Sequence, residues 1–166
     1  HLPVGRYRTI EETERLLSRV LFELGSEQLL VFGAGTKRAG LGRGMSLQEA
    51  CAQLRANALL QLSLNQNWMG EDGACELALA LRENNSLTSL DLAASGIGER
   101  GTLEVVLALK GKSNITALDL EGNRIGDGGA KEVAKALKEN CSLTSLNVSD
   151  NNIGEDGARE VALALK

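Results

Sequence analysis

A chain of 166 residues with 43% hydrophobic content is long enough for one domain with a continuous core. Its 18 Lys and Arg against 22 Asp and Glu give a net charge of −4, which argues against nucleic acid as a partner because such binders present a basic face. Three cysteines without a CxxC pair and a single histidine supply no zinc quartet and no nucleophilic pair, so a reducing, cytoplasmic setting and no metal, cofactor or enzymatic activity are expected.

In chain order, TIEETERLLSRVLFEL at 9–24 comes first. Thr9 suits an N-cap, Glu11, Glu12 and Glu14 suit the opening turns, and Ile10, Leu16, Leu17, Val20, Leu21 and Leu24 form an apolar stripe. The pattern predicts a helix, and region 1–27 reads as an N-terminal cap over whatever core follows. No stretch approaches the ~20 apolar residues of a membrane span, and no apolar segment precedes the first charges, so neither a membrane partner nor a signal peptide is expected.

VFGAGTKRAGLGRG at 31–44 poses a question, because a strand followed by a GxG turn can hold a dinucleotide's pyrophosphate. The fingerprint's third glycine is replaced by Arg38, and the acidic residue expected about 20 positions on is missing, since Glu49 falls inside the helical pattern SLQEACAQLRAN. Aligning that pattern with ACELALALRENN matches Leu54 to Leu81, Ala50 to Leu77 and Cys51 to Ala78. EQLLVF then becomes the strand, and the glycine-rich stretch the strand-to-helix loop, of an irregular first repeat at 28–57. Lys37, Arg38 and Arg43 leave an anion contact as the alternative for that loop.

From residue 58 the chain repeats itself. Residues 58–85, 86–113 and 114–141 form three units of 28, and 142–166 is a fourth that stops after 25. Within a unit two periods follow one another. In LTSLNVSDNNI, Leu143, Leu146 and Val148 share one side of a short strand, and Ile153 continues the row. After the glycine turn, Ala158, Val161, Ala162 and Leu165 are spaced 0, 3, 4 and 7, one face of a helix. One strand and one helix cannot bury both faces alone, so units must stack, strand beside parallel strand. Leucine takes the place of aromatic residues, which make up only 2% of the chain.

The pattern LxxLxLxxNxIGxxGAxxLAxAL resembles the leucine-rich repeats of the ribonuclease-inhibitor type over 58–166. The resemblance implies an α/β solenoid with a curved parallel sheet on the concave side and helices on the convex side. It also implies a buried turn asparagine, matched here by Asn67, Asn123 and Asn151, with Ser95 departing in the second unit. The glycine pairs of the IGxxG pattern suit turn dihedrals or close backbone approach. Glu71, Asp72, Asp127, Glu155 and Asp156 stand where helix dipoles favour negative charge.

GlyLysSer at 111–113 lacks the upstream glycine of a P-loop, Val106 standing there, and aligns with the helix ends ENN and ENC. What remains is the sheet face turned away from the helices, with its adjoining loops. Its candidate partner-binding residues are Ser63, Asn65, Trp68, Asp91, Asp119, Glu121, Arg124, Asn147 and Asp150. The face is mildly acidic, which suits a protein partner with a basic surface, although aspartate at 91 and 119 also suits plain solubility. Trp68 is either a partner-binding anchor or a cover for the junction with the first repeat.

The expected function is a non-catalytic protein-binding scaffold. The resemblance also admits a GTPase-activating regulator like the Ran activator, or a fragment of a larger array such as a nucleotide-binding leucine-rich-repeat sensor. Leu143, Leu146, Val148, Ile153, Val161 and Leu165 are expected to leave a partly open apolar end, which would permit end-to-end self-association.

Overall fold

The computed structural model describes residues 45–140 and 142–164. The helix expected at 9–24, the strand EQLLVF and the glycine-rich loop lie outside those residues. Among the described residues nine elements alternate: α1 (Leu47–Arg55), β1 (Gln61–Ser63), α2 (Gly70–Glu83), β2 (Ser89–Asp91), α3 (Gly98–Leu109), β3 (Ala117–Asp119), α4 (Gly126–Glu139), β4 (Ser145–Asn147) and α5 (Glu155–Ala164). The strands form one parallel sheet in sequence order, with Leu62, Leu90, Leu118 and Leu146 directly side by side. That register is the 28-residue repeat expressed in space.

Each strand is only three residues long, yet the main-chain bonding between units is much longer. Thr88 N–H donates to Leu60 O, Leu64 N–H to Asp91 O, Gln66 N–H to Ala93 O and Gly70 N–H to Ser95 O. The same pattern recurs one unit on, through Thr116, Leu92, Ala94 and Gly98. The threonine hydroxyls of Thr88, Thr116 and Thr144 reinforce it, each donating to the carbonyl 28 residues earlier.

The core is the predicted one. Leu64, Leu92 and Leu120, each just past a strand, share one core with helix residues such as Leu77, Leu81, Val105 and Val133, all 2% exposed or less. The predicted helix of the first repeat is α1, begun by Ser46, whose Oγ accepts from Glu49 N–H at 3.2 Å, and it buries Ala50, Cys51 and Leu54. The helix glycines have two jobs. Gly98 opens α3 at φ +63°, in the left-handed region, while a Cβ on Gly101 would come within 2.7 Å of the Ala74 Cβ, so α2 and α3 pack closely only with glycine there.

Turn asparagines form the second bonding system. Asn123, fully buried, donates through Nδ2 to Leu92 O, Leu120 O and Glu121 O, and its Oδ1 accepts from Ser95 N–H and Ile97 N–H of the preceding unit. Asn151 repeats this against Leu120 O, Asn123 N–H and Ile125 N–H. Ser95 is also fully buried, but its hydroxyl donates only to Leu64 O at 2.7 Å and Ala93 O at 3.3 Å. The expectation fails at Asn67, which is exposed. Every ladder asparagine bonds backwards to the unit before it, and the turn before Asn67 falls outside the described residues.

One further expectation needs correction. Of the residues expected at a partly open apolar end, Leu146, Val148, Ile153 and Val161 are at most 3% exposed, Leu143 is half-buried, and Leu165 lies outside the described residues. Ala93 and Ser149, just beyond β2 and β4, are buried.

Leu118 borders a small apolar cavity of about 20 Å³ that also touches Val106, Ile115, Val133 and Leu146. Leu118→Ala enlarges that void and should cost ~2–5 kcal/mol in urea melts; a loss below about 0.5 kcal/mol would contradict the packing described. Asn123→Ala should destabilise more than Ser95→Ala, by about 1–3 kcal/mol, because it leaves more buried groups without partners. Equal losses in the same melts would remove that account.

Candidate functional site

The predicted site residues divide into two sets. On the strands, Asp91 is already engaged. Its Oδ2 accepts from Ser63 Oγ at 2.8 Å and Asn65 Nδ2 at 2.9 Å, and its Oδ1 accepts from Ala93 N–H at 3.0 Å. Asp119 Oδ1 likewise accepts from Glu121 N–H at 3.0 Å, and Asn147 Oδ1 from Ser149 N–H at 3.1 Å. An acceptor at the strand end that holds the amide two residues on is a side-chain turn former. Asp91, Asp119 and Asn147 therefore have a structural task that accounts for the repeat's preference there.

The second set lies in the turns beyond the strands. Gln66, Ala94, Gly122 and Asp150 all have φ between +52° and +67°, and so do Trp68, Gly96, Arg124 and Asn152 between +48° and +68°. These recurrent left-handed positions put two rows of side chains along the rim of the sheet. Trp68 is 76% exposed, and its Cε3 lies 3.6 Å from where a Gly96 Cβ would stand. Farther along the rim, Gly122 N–H donates to Ser149 O, which sets the turn of Glu121 against that of Asp150. Asn147 Nδ2 donates to Glu121 Oε2 at 3.0 Å. Partial burial, and then the charge of Glu121, hold the Asp150 carboxyl above the ordinary carboxylate range. Leu60, at the other end of β1, is 66% exposed and adds apolar surface to the same face.

A further ladder escaped the sequence reading. At the helix-to-strand turn, buried Asn84 donates to Leu54 O at 2.8 Å and accepts from Leu87 N–H at 2.8 Å; Asn140 accepts equivalently from Leu143 N–H. The signal was available in the aligned ENN, GKS and ENC. Lys112 holds this place in the second unit, and its Nζ donates to Arg82 O at 2.9 Å, Asn84 O and Asn85 Oδ1, tying down the end of α2. Gly111 at φ +71° follows the end of α3, so the GlyLysSer stretch is a helix terminus as expected. A groove of about 540 Å³ opens beside it, but its basic residues are engaged: Arg82 pairs with Glu104 at 3.0 Å and Lys110 with Glu139 at 2.9 Å.

Cys51 is buried, and burial together with nearby Glu76 pushes its thiol up, away from the reactive thiolate; Cys75 is half-buried. Among the described residues no group of His, Cys, Asp and Glu is placed to hold a metal ion, and no helix is long and apolar enough to cross a membrane.

Comparison with known proteins gives the same picture. A family model described as Leucine Rich repeat matches residues 111–134 and 139–162. No curated protein matches the chain significantly. Among solved structures, actin-binding site 2 of leiomodin-1 superimposes with a TM-score of 0.65 at 20% identity, over 74% of this chain and 73% of that one. The tropomodulin C-terminal domain of Caenorhabditis elegans superimposes with a TM-score of 0.59 at 17% identity, over 93% and 91%.

Asp150 offers a test of the rim's electrostatics. Its folded pKa is raised, so ionisation at neutral pH opposes folding, and that opposition lifts as pH falls through the raised value. Asp150→Asn keeps a residue that tolerates positive φ and should raise the urea midpoint at pH 7. The advantage over the parent should shrink toward about pH 4, near the ordinary aspartate pKa. A gain that stays constant with pH would show that the carboxyl is not strained by its surroundings.

Proposed function

The chain is a leucine-rich repeat protein, and from that premise we propose that it is a non-catalytic scaffold that binds another protein through the open sheet face and the strand-to-helix turns. The observation that carries this reading is Trp68, an indole 76% exposed beside a sheet face that none of the described helices covers. Large exposed aromatics are costly in water and are typical anchors at protein interfaces. The in-register parallel strands, all backed by helices, support a continuing solenoid with a concave inner face, and region 1–27 is proposed as its N-terminal cap. A cytoplasmic setting fits the free cysteines. The GTPase-activator and array-fragment readings stand on the repeat type alone, and no residue of this chain selects them.

Actin is the first partner to test, since leiomodin-1 is similar in fold over an actin-binding site. Saturable co-sedimentation with actin is expected, and Trp68→Ala should weaken it more than about tenfold, while Leu79→Ser on the outer helix face should not. Should actin fail to bind, partners captured from lysate provide the same comparison. Binding indifferent to Trp68 and to every open-face residue would overturn the reading.

A further inference from the structure

One row of the rim keeps side chains that its backbone does not favour. Trp68, Gly96, Arg124 and Asn152 hold the same place in successive units, all with φ between +48° and +68°. Glycine and asparagine take that left-handed conformation readily, whereas an indole or a long side chain holds it only under strain. Neither large residue is kept there by polar contacts. Among the described residues the Trp68 indole N–H and the Arg124 guanidinium make no hydrogen bond, and Arg124 forms no ion pair. Both side chains are exposed.

The two groups lie close enough to act together. Trp68 Cε3 is 3.6 Å from where a Gly96 Cβ would stand, so the indole leans over the second unit, and Arg124 rises from the third. Neighbouring strands are about 4.8 Å apart, which offsets indole and guanidinium by ~5–10 Å. Both groups donate hydrogen bonds and accept none. The carboxylates nearby are committed elsewhere: Asp91 and Asp119 hold the amides of Ala93 and Glu121 in their own turns, and Glu121 accepts from Asn147 Nδ2 at 3.0 Å. Asp150, in the adjoining row, forms no ion pair with Arg124.

We infer that this row holds an acidic segment of a partner protein, with an aspartate or glutamate carboxylate on the Arg124 guanidinium and an apolar side chain, two residues away, against the Trp68 indole. The inference rests on the protein-binding reading above and specifies its ligand. Charge complementarity selects the occupant: a carboxylate can accept two parallel bonds from a guanidinium, whereas a lysine or arginine would meet an unpaired like charge. This sign is opposite to the one that the strand aspartates suggest, because their carboxylates already serve backbone amides. In an extended chain alternate residues face the same way and stand about 6.6 Å apart, within the offset of indole and guanidinium.

The protein's single Trp is Trp68, so its fluorescence reports occupancy directly. Capped hexapeptides with one leucine and one glutamate in an alanine-serine background, at separations of one to four and in both orders, are titrated against the full chain. A saturable change is expected, strongest for the pair two apart, and replacing glutamate by lysine should abolish it. Arg124→Asn removes the cation but keeps a residue that tolerates positive φ; it should weaken glutamate peptides about two- to fivefold and remove their weakening by salt. Arg124→Lys should retain that salt dependence. Asp150→Asn, which removes a nearby like charge, should strengthen the glutamate peptides. Urea melts of each variant confirm that the fold persists. No saturable change for any peptide up to about 1 mM, equal binding of glutamate and lysine peptides, or parental affinity in Arg124→Asn overturns the inference. If partner protein binding still depends on Trp68 in that case, the scaffold reading survives and only this specification of the ligand falls.

Discussion

Main-chain hydrogen bonding between units 28 residues apart is the constraint on which everything else here depends. It runs through Leu60, Leu64, Gln66 and Gly70 and recurs in the next two units, far beyond the three residues of each strand. A strand this short has little stability of its own, and its polar backbone must be satisfied by a neighbour. Every unit is thus incomplete without the next. Once the units are locked together, each sequence position becomes a row across the molecule, spaced at about the distance between strands. Rows of leucine make the core, and rows of threonine and asparagine satisfy the turns.

The second unit shows how much departure the ladder tolerates. It carries Ser95 in the asparagine row and Lys112 in the other asparagine row. Ser95 keeps the bond to Leu64 O that an asparagine amide would make, and Asn123 of the following unit satisfies the Ser95 N–H. Lys112 reaches back to the carbonyls that end α2, replacing an amide by an ammonium on a longer stem. Bonds lost within one unit are therefore supplied by its neighbours. Asp127 extends the theme, since its Oδ1 accepts from Gly154 N–H and Gly157 N–H and so serves the start of the next unit's helix.

Legibility in the sequence followed this division between rows and exceptions. Leu62, Leu90, Leu118 and Leu146 could be placed side by side because four copies in phase repeat the same spacing, and Cys51 and Leu54 of α1 were placed in the core by alignment alone. What could not be read was which polar group each row satisfies. Asn84 and Asn140 looked like ordinary helix ends, because their bonds go to backbone carbonyls that the sequence does not distinguish from any others. Asn67 matched the buried row by letter yet is exposed. The open end expected at Leu146 and Val161 misjudged how far one helix shields its own strand.

The site is where row and exception part company. Asp91 and Asp119 repeat because each holds a turn amide, and a residue explained by its own backbone is poor evidence of a partner. Trp68 stands where the other units have Gly96, Arg124 and Asn152, and Asp150 where they have Gln66, Ala94 and Gly122. All of these positions share one left-handed backbone conformation, so the fold asks for that conformation and leaves the side chain unspecified. Nothing in the ladder requires an indole at one end of the rim or a second carboxylate beside Glu121 at the other. In a repeat array the information about a partner lies in the residues that the repeat does not need, and here those include an exposed indole at one end of the rim and Arg124 and Asp150 toward the other.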